Sequence, residues 1–104
     1  MRFASNRDIA IGVEDLDKAA EFYEGTFGFK VEKTEPELRI YNTGHFTLYV
    51  EKTKNHPPIP SYTVENLHEA KMHLQDNGCN VLAEHDRNLY FEDPFGIVWD
   101  LVEE

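Results

Sequence analysis

Two stretches of the sequence, Asp8–Leu16 and Ile59–Leu67, repeat one pattern at an offset of 51 positions. In each stretch apolar residues alternate with small or polar ones, and the stretch then reaches an acidic or amide residue that can cap a helix. Two copies in a chain of 104 residues are too few for a solenoid. The repeat therefore predicts two similar units that face each other across a shared cleft.

Each copy opens the same series of predicted elements: a strand, a helix and three further strands. The first helix is capped by Asp15 and ends at Gly25 or Gly28, and the second is capped by Asn66 and ends at Gly78. Both helices have apolar residues at helical spacing, with charged residues between them. This element order predicts an α+β fold built from two βαβββ modules.

The first strand has a regular alternation that assigns its two faces. Its apolar side chains are predicted to lie under a helix, and its small or polar side chains to face the opposite, concave side. The first group is Ile9, Ile11 and Val13; the second is Asp8, Ala10 and Gly12.

The length and composition are those of one globular domain spanning residues 1–104, with module one over about 1–52 and module two over about 59–104. Hydrophobic residues make up 40% of the chain and charged residues 29%, which provides a core without disulfide bonds. The stretch from Lys52 to Pro58 is predicted to be an extended linker between the modules.

The net charge of −10 constrains the partners of this protein. Residues 1–52 contribute −3 and residues 53–104 contribute −7. A surface of this kind repels phosphate groups, so nucleic acid is not an expected partner, and it attracts cations. The alternative interpretation of the charge is solubility alone.

No apolar run approaches the ~18 residues of a membrane span. The first residues contain no apolar stretch, so no signal peptide is expected. The single cysteine, Cys79, has no partner for an internal disulfide. These features predict a cytoplasmic protein that does not bind membranes.

Two motifs resemble the vicinal oxygen chelate superfamily, which includes glyoxalase I, bleomycin-resistance proteins and extradiol dioxygenases. The stretch Val13–Phe29 is similar to the first helix signature of that superfamily, and Asp93–Glu103 is similar to its closing hairpin. The resemblance implies paired βαβββ modules whose mixed sheet curls into a cup, with the helices on the outer face. Because the superfamily hosts several chemistries and some binding proteins, the resemblance is specific for fold and weak for reaction.

In metal-dependent members the resemblance implies four ligands, one each from the first and last strands of the two modules. Carried over, these positions are Asp8, Leu48, Ile59 and Asp100. Leu48 and Ile59 have no donor atom, whereas a catalytic divalent metal usually has about three protein ligands. A register slip of one places Thr47 or Tyr49 at the second position and does not restore the site. The sequence therefore predicts no metal ligands and no cofactor.

A candidate ligand site remains inside the implied cup, and no catalytic residue is assigned. Asp8 and Asp100 are either a carboxylate pair that holds a cationic ligand or does acid–base work, or two solvated carboxylates at an open cleft. Small and apolar residues around them, with Val50 among the predicted walls, suit a small-molecule site. The candidate ligand-binding residues are Asp8, Phe46, Leu48, Ile59, Ser61 and Asp100.

These observations favour a metal-independent protein, similar to bleomycin-resistance proteins, that binds a small and cationic molecule; antibiotic resistance is one such role. The first alternative is a divalent-metal enzyme, either a glyoxalase-type lyase, a dioxygenase or a thiol transferase, with an atypical site. The second is a scaffold without a ligand. A homodimer is expected, because relatives cover their exposed sheet edges by pairing chains. The sequence leaves open whether the two modules form the cup within one chain or across that dimer.

Overall fold

The computed structural model describes residues 1–104, and the chain divides into two compact units. The first unit comprises Arg7–Pro58, and the second comprises Ile59–Glu104 together with Met1–Asn6. The series strand, helix and three strands occurs twice, which confirms the α+β class and the two βαβββ modules. In chain order the elements are β1 (Ala4–Val13), α1 (Leu16–Gly25), β2 (Lys30–Glu35), β3 (Leu38–Asn42), β4 (Thr47–Lys52), β5 (His56–Val64), α2 (Leu67–Asp76), β6 (Asn80–Glu84), β7 (Asn88–Glu92) and β8 (Val98–Glu103).

Both helices begin at the predicted capping residues. The Asp15 side chain accepts a hydrogen bond from the backbone N–H of Lys18, and the Asn66 side chain accepts one from Glu69, at 3.1 and 2.9 Å. Each cap satisfies one of the N–H groups that a helix leaves free at its start. Gly78, with φ of 86°, follows α2 in the left-handed conformation that glycine tolerates best. Neither helix has the length and apolar character needed to cross a membrane.

Each unit contains a mixed sheet of the same connectivity. In the first unit β1 pairs in parallel with β4, and β4, β3 and β2 follow as antiparallel neighbours. In the second unit β5 pairs in parallel with β8, and β8, β7 and β6 continue in the same way. Strands β2 and β6 each carry a register shift, between Val31 and Lys33 and between Val81 and Ala83. Irregularities of this kind blunt strands that end a sheet.

One face of each sheet packs against the helix of its own unit. In the first unit Ile9, Ile11 and Val13 contribute to this core, which confirms the predicted phase of the first strand. The opposite phase carries Asp8 and Ala10. The fully buried members of the first core are Tyr41 and Val50, and those of the second are Ala70, Leu89 and Leu101.

Four aromatic residues in α1 and the segment that follows it are only partly buried. Tyr23 and Phe29 pack against the first core. Phe22 and Phe27 are 48% and 56% exposed. Their rings contact each other edge to face with centroids 4.9 Å apart. The short helix has room for only part of this aromatic group on its sheet-facing side.

Tyr41 fixes the end of α1 to the sheet. Its side chain is fully buried, and its hydroxyl donates a 2.8 Å hydrogen bond to the carboxylate of Glu24 in the last turn of the helix. Burial raises the pKa of the Tyr41 phenol well above its ordinary value, and the hydrogen bond to Glu24 raises it further. The hydroxyl therefore stays protonated and keeps donating at all ordinary pH values.

The linker is shorter than the sequence predicts, because β5 already begins at His56. Only Thr53–Asn55 connect the modules outside regular structure. Their contacts hold the segment against the end of β1: Thr53 N–H donates to Val13 at 3.0 Å, and the Asn55 side chain accepts from Glu14 N–H at 2.9 Å. Strand β1 also begins before the predicted Asp8, at Ala4.

Gly12 is the position at which this segment approaches β1 most closely. A Cβ atom at Gly12 would lie 2.5 Å from the carbonyl oxygen of Lys54 and 2.8 Å from Nε2 of His56. Both distances are far below van der Waals contact. The backbone of Lys54 is held by its neighbours, so it has little freedom to move away.

We expect Gly12→Ala to lower the free energy of unfolding by about 1–3 kcal/mol, because the added methyl overpacks a fixed backbone contact. The matched control is Gly25→Ala, where nothing lies within 4 Å of the new Cβ. That variant should leave stability unchanged or raise it by up to about 1 kcal/mol. Urea unfolding measures both, and a Gly12→Ala protein within about 0.5 kcal/mol of the natural one would contradict the contact.

Candidate functional site

The register of the sheets identifies the side chains that face away from the helices. In the first unit Asp8 pairs with Thr47, and Ala10 pairs with Tyr49. Directly paired residues share one face of a sheet. Because Ile9 and Ile11 belong to the core on the helix side, Asp8, Ala10, Thr47 and Tyr49 lie on the opposite face. This face is called the open face below.

Two predicted site residues of the first unit lie on the wrong side for a ligand site in the cup. Leu48 is 6% exposed and belongs to the core with Leu16, and Phe46 packs against the same core. Val50, predicted as cavity wall, is fully buried there too. The placement of these three side chains on the open face is therefore corrected.

The expected positions Leu48 and Asp100 each lie four residues after a turn glycine, Gly44 and Gly96, and the error comes from matching the two turns in this way. Gly44 and Gly96 are 52 positions apart, whereas the strands that follow them keep the 51-residue offset of the repeat. Ala10 pairs with Tyr49 in the first unit as Ser61 pairs with Asp100 in the second. Tyr49, and not Leu48, is thus the counterpart of Asp100.

In the second unit Asp100 is the centre of a hydrogen-bonded network. The hydroxyl of Ser61, which is 5% exposed, donates to one carboxylate oxygen of Asp100 at 2.9 Å. The side-chain amide of Asn88 donates to the other oxygen at 3.1 Å. The Asn6 amide donates to the Ser61 hydroxyl at 2.8 Å and to the Thr63 hydroxyl at 3.2 Å. The carboxylate is therefore held in one orientation by two neutral donors.

Sequence reasoning places Ser61 and Asp100 in the site but misses Asn6 and Asn88. Both asparagines precede the predicted starts of their strands, which the structure extends to Ala4 and Asn88. The available signal was weak: Asn6 lies two positions before Asp8, but Arg7 between them has a φ of 63° and interrupts the alternation of the strand.

Ile59 lies in β5 two positions before Ser61, in the same phase of the strand. It is 9% exposed and lies outside the helix-side core. Pairing of β8 with β7 places Tyr90 opposite Asp100 and Asn88 opposite Val102. The face of the second unit that carries Ile59, Ser61 and Asp100 is called its open face below, and it combines apolar side chains with a small number of oriented polar groups.

The charge of the second unit is strongly negative. It contains ten acidic and three basic residues. Lys71 pairs with Glu84 at 2.7 Å, and Arg87 donates to the backbone oxygens of Glu103 and Glu104. The third basic residue of the unit, Arg2, makes no contact of this kind with an acidic residue. Both side chains that donate hydrogen bonds to Asp100, Ser61 and Asn88, are uncharged.

Tyr49 has a different environment in the first unit. Burial raises the pKa of its phenol above the ordinary value, and the negative charges of Asp8 and Glu32 raise it further, while Lys33 acts in the opposite direction. The phenol is consequently protonated near neutral pH and is available as a hydrogen-bond donor.

A cavity of about 410 Å³ lies elsewhere on the first unit, lined by Glu35–Leu38 and Glu51–Thr53. None of the predicted site residues contributes to it. The expectation that Asp8 and Asp100 share one cavity stays a prediction, because the two residues belong to different units.

The residues at the implied metal positions do not fit a divalent metal centre. With the register corrected, these positions carry Asp8, Tyr49, Ile59 and Asp100. Ile59 has no donor atom, and the other three positions supply two carboxylates and one phenol but no histidine. No three His, Cys, Asp or Glu side chains of the chain form a group that could hold a metal ion.

The sequence model of the Glyoxalase/Bleomycin resistance protein/Dioxygenase superfamily matches residues 7–101. The chain belongs to this superfamily. The match spans both modules and includes Val13–Phe29 and residues 93–101 of the closing hairpin, so the predicted family is confirmed. A comparison with curated proteins finds no significant match.

Solved structures share the fold at low sequence identity. A hypothetical protein from Bacillus halodurans C-125 is 13% identical with a TM-score of 0.69, over 99% of this chain and 94% of its own. The H200Q variant of homoprotocatechuate 2,3-dioxygenase from Brevibacterium fuscum is 19% identical with a TM-score of 0.73. The Mn(II)-bound glyoxalase from Novosphingobium aromaticivorans is 14% identical with a TM-score of 0.71.

The two enzymes are much longer than this protein. Each alignment includes 98% of this chain, but only 33% of the dioxygenase chain and 39% of the glyoxalase chain. At these identities the similarity shows the fold, and it does not transfer a reaction or a metal.

We expect Ser61→Ala to lower the free energy of unfolding by about 1–3 kcal/mol, because it removes the acceptor of Asn6 and a donor to Asp100 together. Asn6→Ala and the double variant complete a cycle. The two changes should be non-additive by about 0.5 kcal/mol or more, as expected for residues in one network. Additive losses in urea unfolding would show that the network does not act as a unit.

Proposed function

We propose that this member of the superfamily binds a small cationic organic molecule on the open face of the second unit, without a metal. The observation that carries the proposal is the Asp100 network. Ser61 and Asn88 each occupy one acceptor position of the carboxylate, which has about four in all. In this proposal a ligand N–H donates to a further acceptor position of the carboxylate.

The surroundings favour a cation over a neutral or anionic group. Neutral donors orient Asp100 without cancelling its charge, and the net charge of the unit, ten acidic against three basic residues, adds attraction over longer distances. An ammonium or amidinium group gains more Coulomb energy beside a half-buried carboxylate than in bulk water. Ile59 supplies an apolar contact on the same side.

The test uses benzamidine, a planar aromatic cation, and benzoate, an anion of nearly the same shape. We expect calorimetry to detect benzamidine and not benzoate. Asp100→Asn keeps the shape of the side chain and removes its charge, so it should weaken benzamidine binding by about ten- to a hundredfold.

Asp86→Asn is the matched control, because it makes the same charge change in an exposed segment between β6 and β7. This variant should bind benzamidine with an affinity within about twofold of that of the natural protein, because salt screens an exposed charge. Equal weakening by both substitutions would reduce the proposal to a general charge effect, and equal binding of benzamidine and benzoate would refute it.

The metal-dependent enzyme is the competing function, since the solved relatives include a dioxygenase and a Mn(II)-bound glyoxalase. The corrected donor set argues against it. A role in antibiotic resistance would be one use of a cation-binding site. A cytoplasmic location remains our proposal on the basis of the single free cysteine, Cys79.

We also propose a homodimer. Strand β2 pairs only with β3, and β6 pairs only with β7, so each leaves one side of its backbone unpaired within its unit. Exposed edges of this kind are commonly covered by a second chain. Sedimentation at micromolar concentration should give twice the chain mass of 12.1 kDa, and a monomer at every concentration would refute the pairing.

A further inference from the structure

The turn between β7 and β8 exposes an aromatic side chain at its tip. Phe95 is 86% exposed, the highest value among the large exposed hydrophobic residues of the chain. Ile97, two positions further on, is 49% exposed. Neither side chain belongs to the core of the second unit. These two apolar side chains therefore lie in water and contribute little to the fold.

Hydrogen bonds to one carboxylate hold this turn in a single conformation. One oxygen of Asp93 accepts from the backbone N–H groups of Phe95 and Ile97, at 2.9 and 3.0 Å. The other oxygen accepts from the indole N–H of Trp99 at 3.0 Å, and Trp99 itself packs against the second core. Phe95 is thus presented on a preorganised backbone, so a partner that binds it gives up little conformational entropy.

The corresponding turn of the first unit forms without an aromatic residue at its tip. There the Asn42 side chain accepts a 2.8 Å hydrogen bond from the backbone N–H of Gly44, and Thr43 and His45 flank that glycine. A side-chain acceptor at the end of the strand is therefore sufficient for a turn at this place. The ring of Phe95 is not needed to build the second turn.

Carboxylates surround the turn at Phe95. Pro94 lies beside Gly78, which follows the end of α2, since a Cβ atom at Gly78 would be 3.5 Å from the Pro94 ring. Asp76 is the last residue of α2 and is exposed, and Glu92 is the last residue of β7. Both carboxylates therefore belong to the same end of the second unit as the turn.

The three basic residues of the second unit lie away from this end. Arg2 lines a cavity with Asn66, at the start of α2, and a helix of ten residues is about 15 Å long. Lys71 pairs with Glu84, the last residue of β6, and Arg87 directly precedes β7. Because β6 and β7 are antiparallel, both of these contacts lie at the end of the strand pair opposite to the turn.

This distribution of charge selects the kind of partner that fits the turn. A second copy of the chain does not suit it, because a symmetric contact would bring the same carboxylates together. A basic partner gains from every one of them, and lysine or arginine can also bind over the face of an exposed aromatic ring. Exposed aromatic residues on a rigid backbone are typical anchors of protein interfaces.

We propose that the turn at Phe95 docks a basic protein partner, with the Phe95 ring in apolar contact and partner lysine or arginine side chains paired with Asp76 and Glu92. This surface is separate from the proposed cation site at Asp100, and its partner is a macromolecule.

The experiment is a titration of ¹⁵N-labelled protein followed by NMR at physiological ionic strength. The probe is an amphipathic helical peptide of lysine and leucine, which supplies both basic and apolar side chains. We expect it to shift the backbone amide signals of Phe95, Gly96 and Ile97. The same peptide with glutamate in place of lysine should not bind, because its charge has the sign of the surface.

Phe95→Ala should weaken binding of the lysine peptide by about tenfold, as expected for an anchor residue. Its melting temperature should stay unchanged, because the ring lies outside the core. Phe27→Ala is the matched control, since Phe27 is 56% exposed but belongs to the first unit. It should change the affinity by less than about twofold.

Asp76→Asn tests the charge part of the proposal. It should weaken binding of the lysine peptide by about two- to fivefold, the effect of one exposed ion pair. Asp86→Asn makes the same change in an exposed segment next to Arg87, at the far end of β6 and β7, and should have no such effect. Thermal unfolding verifies that all four variants fold.

Four results would overturn the inference: no binding of the lysine peptide, shifts confined to residues outside the turn, equal binding of the two peptides, or equal weakening by Phe95→Ala and Phe27→Ala. Equal weakening by the two aspartate substitutions would also refute it, because the attraction would then come from the net charge of the chain alone.

Discussion

The parallel pairing of β1 with β4 and of β5 with β8 determines what this protein can present to a ligand. Strand side chains alternate with a period of two, so the register of these pairs decides which residues lie under a helix and which stay open. A shift of one residue would bury Asp100 and expose Leu101, which is fully buried in the second core. The cores therefore fix the register, and the register places the polar groups.

The periodic and capping features could be predicted from the sequence because they depend on local rules. The alternation of β1 assigned Ile9 and Ile11 to the core, and the N-caps Asp15 and Asn66 set the starts of both helices. Turn length is less constrained. The turn after Gly44 is one residue longer than the turn after Gly96. Matching the two turns therefore placed the expected ligand position on Leu48 instead of Tyr49, and Leu48 lies on the opposite, helix-covered face of the sheet. Strand starts at Ala4 and His56 depend on tertiary pairing, which local patterns do not specify.

The two units share one arrangement of helix and strands, but they carry different polar side chains at equivalent positions. At equivalent positions the second unit has an acceptor held by neutral donors, Asp100, and the first has a protonated donor, Tyr49. Neither arrangement resembles a set of metal ligands. The Asp100 carboxylate is oriented by Ser61 and Asn88, and oriented acceptors of this kind recognise N–H groups in organic ligands. The superfamily fold is therefore compatible with binding chemistry that depends on hydrogen bonds and charge alone.

The measurement that tests this account most directly is the metal content of the protein. The chain should be produced in medium supplemented with Mn²⁺, Fe²⁺, Ni²⁺ and Zn²⁺, purified without a chelator and examined by elemental mass spectrometry, with thermal unfolding before and after EDTA. We expect far less than one equivalent of any of these metals per chain and an unchanged melting temperature, because Ile59 has no donor atom and the other implied ligand positions carry no histidine. One equivalent of a single metal, with a melting temperature that falls when the metal is removed, would contradict it.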